Sequence, residues 1–123
     1  MRSGMRKGVI AMGLVATTAA TQSPHRLVVV VGRPNDPRAT QQHVALEHDA
    51  AALRERDVVV QDITPEAARH ERPELGVSSE AAFEVLLVGK DGEVKLRREK
   101  LVAASEIITL IDTMPMRQNE MRR

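Results

Sequence analysis

Leu27-Val28-Val29-Val30-Val31, running into Gly32-Arg33-Pro34-Asn35-Asp36-Pro37, is the stretch that decides the fold. The run is continuously apolar and almost wholly β-branched. Without polar alternation, such a run reads as a strand covered on both faces, hence central in its sheet. Gly32 and Pro34 break it. Asp36 followed by Pro37 is a helix start, with the aspartate as N-cap and the proline at the first helical position.

From there the pattern extends outward. Ala39, His43, Leu46, Ala50 and Leu53 recur at spacings of four and three, so one helix is expected from about Pro37 to Arg54. Arg54-Glu55-Arg56-Asp57 is a polar turn, and Val58-Val59-Val60 opens a second buried strand reaching towards Ile63. Strand, helix, strand at this spacing is a right-handed βαβ unit with parallel strands. Thr64-Pro65-Glu66 can open a short helix that Pro73 interrupts, and Gly76 ends that irregular segment. Phe83 to Val88 is a third strand. Gly89-Lys90-Asp91-Gly92 is a turn signal, and Glu93-Val94-Lys95-Leu96 alternates as an edge strand does, so an antiparallel hairpin is expected. Ser105 to Met114 is the last helix, with Ile107, Ile108, Leu110, Ile111 and Met114 on its buried side, stopped by Pro115. Residues 116–123 read as a polar tail. The order β-α-β-(α)-β-β-α is a minimal thioredoxin-like α/β arrangement over residues 25–115, a mixed sheet with helices on its faces.

The N-terminus reads as an export signal. Arg2, Arg6 and Lys7 precede an apolar run of about 12 residues, Val9 to Ala20, that ends in small residues. Residues 1–20 therefore form an expected signal peptide, cut near 20–23, with Thr18-Ala19-Ala20 or Ala19-Ala20-Thr21 fitting the cleavage site. The run falls short of the roughly 20 residues a transmembrane helix needs, so no stable membrane span is expected. A periplasmic or secreted protein follows.

Composition removes several chemistries. The 123 residues suit one domain, and at 42 % hydrophobic the chain can build a core. That core must be aliphatic, because Phe83 is the only Phe, Tyr or Trp. Base-stacking nucleic-acid modules need exposed aromatic rings. Setting the three leader cations aside leaves 15 of the 18 basic side chains against 17 acidic ones, about −2, so the body has no general attraction for phosphate backbones. No nucleic-acid partner is expected.

There is no cysteine. In thioredoxin-like folds the reactive thiols sit in the loop after the first strand, where the helix N-terminus stabilises a thiolate. Here Arg33, Asn35 and Asp36 occupy that loop, and the residues before Phe83, Ser78 to Ala82, contain no proline where such folds place a cis-proline. The loop can act as a turn and N-cap, or can bind a small anion through backbone amides and Arg33. Thiol-disulfide exchange and thiol peroxidase chemistry are excluded. No catalytic residue is marked: there is no Gly-x-Ser-x-Gly elbow, and Gly89-Lys90-Asp91-Gly92 is not a Walker loop. No metal site or cofactor is expected, since His43 and His48 stand five apart on one helix and His70 lies in a charged stretch. His43 falls on the apolar stripe as a partly buried histidine. The run Lys95-Leu96-Arg97-Arg98-Glu99-Lys100, with Arg117, Arg122 and Arg123, can form a basic patch for an acidic partner or anionic lipid, or a solvated strand end.

Two segments carry a family resemblance: Leu86-Leu87-Val88-Gly89-Lys90-Asp91-Gly92-Glu93-Val94-Lys95-Leu96-Arg97, and Leu110-Ile111-Asp112-Thr113-Met114-Pro115-Met116-Arg117 with Glu120-Met121-Arg122-Arg123. With Leu27–Val31 and the Arg56–Val60 strand, they resemble the bacterial domain-of-unknown-function family 4174, from about residue 25 to the end. The resemblance implies a thioredoxin- or peroxiredoxin-like fold and export. It implies no reaction, and it carries no catalytic residue over to this chain. The expectation is a non-catalytic exported module that binds an envelope or extracellular protein partner. The alternatives are an enzyme with non-thiol chemistry at the 32–36 loop, and a subunit that needs another protein for activity.

Overall fold

The computed structural model describes residues 22–122. Strands β1 (Arg26–Val31), β2 (Val58–Ile63), β3 (Glu84–Val88) and β4 (Val94–Arg98) form one sheet in the order β2-β1-β3-β4. β1 pairs parallel with β2, and antiparallel with β3; β3 and β4 are the antiparallel hairpin. The expected thioredoxin-like mixed α/β architecture is therefore present.

The continuous apolar run behaves as read. Val28 and Val30 face one core with Val85, Leu87 and Leu96, while Val29 and Val31 face another with Leu86 and Val88. The first core is closed by α1 (Pro37–His48), α2 (Ala50–Glu55) and α4 (Ala104–Asp112), through Leu46, Leu53, Ile107 and Ile111. The second is closed by α3 (Pro65–Glu71) and the 72–82 segment, through Ala68, Leu75, Val77 and Ala81. Val28 to Val31 are at most 1 % exposed, because pairing on both edges and cover on both faces leave water no access.

Local details shift some boundaries. The helix expected over Pro37–Arg54 is two helices, broken at Asp49, which adopts φ −112° and ψ 30°. Thr64 caps α3 as read, its hydroxyl accepting from Ala67 N at 3.1 Å. Gly92 takes the positive φ of 85° that the hairpin turn demands. Gln42, on the expected apolar stripe's flank, is fully buried: its amide nitrogen donates to Val102 O at 2.9 Å and its oxygen accepts from Val102 N at 2.8 Å. This side chain acts as a strand partner, satisfying a backbone pair that the core would otherwise strand without water.

The segment expected as a polar tail after Pro115 is a correction. Pro115–Met121 is a further helix, α5, because the proline that cannot continue α4 is well suited to the first position of the next helix. α5 brings Arg117 into a buried position and Glu120 onto the buried Arg26. The Arg26 guanidinium donates to both Glu120 oxygens at 3.3 Å and to Arg56 O at 2.9 Å. Lys90 from the hairpin turn reaches Glu120 at 2.7 Å and Asp57 at 2.8 Å. Arg117 and Arg56 share Asp112, the latter as a two-point contact at 2.9 and 3.0 Å. Burial pushes the Glu120 carboxyl up, but hydrogen bonds from Lys90 and Arg26 outweigh it and hold the group below its ordinary value. The Arg56 guanidinium does the same for Asp112, and Lys90 for Asp57.

Three outcomes follow for stability. Gln42→Leu should cost about 2–4 kcal/mol, one to two stranded backbone groups, in denaturant unfolding, while Gln41→Leu, exposed next door, should change little. Glu120→Gln should cost about 3 kcal/mol near pH 7, towards the low end for a broken buried pair because Glu120 keeps 18 % exposure. Three carboxyls with lowered folded values give stability that is complete above the unfolded value, roughly pH 4 to 4.5, and lost as pH falls through the folded ones. Stability measured against pH should therefore fall less steeply on the acid side in Glu120→Gln than in the natural chain.

Candidate functional site

The loop after β1 is drawn tightly against the sheet. A Cβ at Gly32 would stand 3.1 Å from Ala39 Cβ and 3.4 Å from the Phe83 ring, so a side chain there would require the start of α1 to give by a few tenths of an ångström. Asp36 sits at the N-cap as read: its Oδ1 accepts from Arg38 N at 2.9 Å. The same carboxylate takes the Arg38 guanidinium at 2.7 and 3.1 Å, and Arg38 lies 5.1 Å from the centre of the Phe83 ring. The side-chain hydrogen bond from Arg38, then its backbone amide, holds Asp36 below the usual carboxylate range.

The three residues singled out in this loop diverge. Arg33 points to α3 and pairs with Glu66 at 2.5 Å, both side chains exposed. Asn35 is exposed and makes no side-chain hydrogen bond among the described residues. Asp36 turns back on its own helix. They do not converge on one point where a reacting atom would sit.

Beside them lies a cleft of about 410 Å³ at the carboxyl ends of β1 and β2. This is where open α/β sheets place ligands. Val30, Ala39, Val44 and Ile63 supply much of its wall, and Arg33, His43 and Asp62 its polar rim. Sequence reasoning placed Arg33 here but missed Asp62 and Val44. The parallel pairing of Val31 with Ile63 is what brings the end of β2 beside the 32–36 loop.

His43 is only half-buried, held between two carboxylates: Nε2 lies 3.1 Å from Glu47, and Nδ1 3.2 Å from Asp62 without the alignment of a hydrogen bond. The two acids take opposite edges of the ring, so they cannot join it around one metal ion. Among the described residues no group of three or more His, Asp or Glu is placed to hold a metal. No helix of the described residues is long and apolar enough to cross a membrane.

The basic run on β4 is not a free patch. Lys95 pairs with Asp91 and Glu93, Arg97 with Glu84, and Arg98 with Glu106. Glu84 is almost wholly buried and Arg97 also donates to the carbonyl of Leu75, so this cation closes the second core. Arg117, expected beside that run, is buried in the network under α5.

With this geometry in hand, a family profile described as "Domain of unknown function (DUF4174)" matches residues 18–120. No curated protein matches the chain. Among solved structures it is similar to one titled "Crystal structure of Trxlp from Edwardsiella tarda EIB202", at 19 % identity and a TM-score of 0.54, covering 81 % of this chain and 94 % of that one. That likeness carries the thioredoxin-like fold.

Capping and pairing at this loop separate by mutation. Asp36→Ala should lower the thermal midpoint as α1 loses its cap, while Asp36→Asn should recover most of it, since asparagine caps as well. Arg33→Ala should leave the midpoint unmoved, because an exposed pair adds little. Equal losses for Arg33→Ala and Asp36→Ala would contradict this division.

Proposed function

The chain belongs to the DUF4174 family, and on that premise we propose that it is an exported, cysteine-free binding module that receives a partner in the cleft beside the 32–36 loop. The observation that carries this reading is the state of the cleft's polar groups. His43 is paired with Glu47 and the Thr64 hydroxyl serves the α3 cap, while Arg33 gives one nitrogen to Glu66 and stays exposed at the rim. What the cleft offers is contact surface, with Val44 57 % exposed at its mouth. A thiol is absent from the chain, so the fold's usual use of this position is closed. A partner that lays an apolar side chain against Ala39, Val44 and Ile63, with a polar group towards Arg33, suits such a lining. Arg33 and Asn35 would serve as the outer contacts, and Asp36 as the support of the loop. Export rests on the Arg2–Lys7 cations and the apolar Val9–Ala20 run.

Fractionation of the native host tests both parts. A processed chain lacking about 20 N-terminal residues should appear in the periplasm or medium. A photo-crosslinker at Thr40, on the cleft wall, should then give one adduct in intact cells that Val44→Glu abolishes. The same crosslinker at Glu99 should give none. A full-length cytoplasmic chain, or adducts indifferent to Val44→Glu, would sink the proposal.

A further inference from the structure

We propose that the outer edge of β2 is a self-association surface, on which a second copy of this chain lays its own β2 antiparallel. The inference goes beyond the cleft and does not depend on it.

The sheet has two edge strands, and they are built differently. β4 carries Lys95, Arg97 and Arg98, and its pairing with β3 is interrupted by a register shift at Leu87/Val88. Charges and bulges are what keep an edge from pairing. β2 has neither. Val58-Val59-Val60 is apolar, contains no proline, and runs in unbroken register with β1 across six residues. Among the described residues no strand pairs with its outer side. Val59 is 42 % exposed on one face. On the other, an apolar crevice of about 120 Å³ separates β2 from α1 and α2, walled by Leu46, Ala50, Leu53, Val58 and Val60.

Charge along this edge selects the occupant. Arg54 stands at the end of the crevice where β2 begins, and makes no ion pair among the described residues. At the other end stand Asp62 and Glu47, flanking His43. The edge thus carries Arg54 at one end, where Glu55 and Asp57 are already paired with Arg117 and Lys90, acids at the other end and an apolar stretch between. Reversed on itself, it is complementary. A two-fold axis normal to the sheet sets Val58–Val60 of each copy against Val58–Val60 of the other and directs each Arg54 towards the other copy's acidic end. Parallel addition would set acid against acid. The same axis keeps each copy's helices on the same faces and continues the sheet across the pair.

Sedimentation equilibrium on the protein purified from its own host should give a reversible dimer within a range of about 1 to 500 µM. Val59→Lys should weaken it at least about 10-fold without changing the circular dichroism, because a lysine facing its own copy across the two-fold is repelled and desolvated. Should Val59→Lys fail to fold, the charge pair carries the test. Arg54→Glu should weaken the dimer, and adding Asp62→Arg should restore it. A monomer throughout that range overturns the proposal. So does a dimer indifferent to Arg54→Glu. A monomer in which the outward-pointing alternate amides of Val58–Ile63, those not bonded to β1, resist hydrogen exchange also overturns it, by placing another segment of the chain on the edge.

Discussion

Burying Arg26 at the root of the central strand is the constraint on which much of this structure rests. A guanidinium 1 % exposed must be paired and hydrogen-bonded, because an unpaired buried charge is too costly to persist. The chain meets that demand from two distant places, Glu120 of α5 and the Arg56 carbonyl, while Lys90 donates to the same Glu120 carboxylate. Each of these contacts fixes an element. Glu120 pins α5 beneath the sheet, the Arg56 carbonyl pins the turn into β2, and Lys90 pins the hairpin. Asp57, in the left-handed region at φ 57°, accepts Arg26 N with its own carbonyl and Lys90 with its side chain. Aspartate is among the few residues that hold such a conformation readily.

That network gathers at the end of the sheet where β1 and β2 begin; the cleft sits where they finish. The division has a physical logic. Ion pairs that lock helices to strands hold that end rigid, so the opposite end can leave Val44 exposed and Arg33 on a solvated pair without loosening the core. α1 spans the two ends, and Gln42 in its middle ties it to the chain before α4 through both polar groups of Val102.

What was legible in the sequence is what local chemistry alone decides. The uninterrupted Leu27–Val31 run demanded a strand covered on both faces, Asp36-Pro37 and Thr64-Pro65 demanded helix starts, and the 89–92 turn demanded a hairpin. Each of these follows from residues a few positions apart. The parts that escaped reading depend on distant partners. Arg26 lies 94 residues from Glu120 and Gln42 lies 60 from Val102. Nothing beside Arg26 distinguishes it from a solvated strand-flanking cation. Pro115 was legible as a helix stop, and is equally a helix start. Only Glu120, five residues on and facing Arg26, makes the second role pay. The pairing of the basic run on β4 escaped for the same reason: its acids, Glu84 and Glu106, lie 13 and 8 positions away.

The missing thiol also has a structural counterpart at the start of α1. A helix N-terminus concentrates unsatisfied amides and the positive end of the macrodipole, and in this fold that field ordinarily stabilises a thiolate. Here the Asp36 carboxylate takes the Arg38 amide and the Arg38 guanidinium together, so a permanent anion of the chain itself stands in the field. The field is answered from within, which leaves it little to offer an exchanging group or a bound anion at the same point. Beside that closed N-cap lies the apolar wall of Ala39, Val44 and Ile63, between the capped helix and the end of β2. With the fold kept and no cysteine in the chain, the position after β1 holds an internally satisfied N-cap.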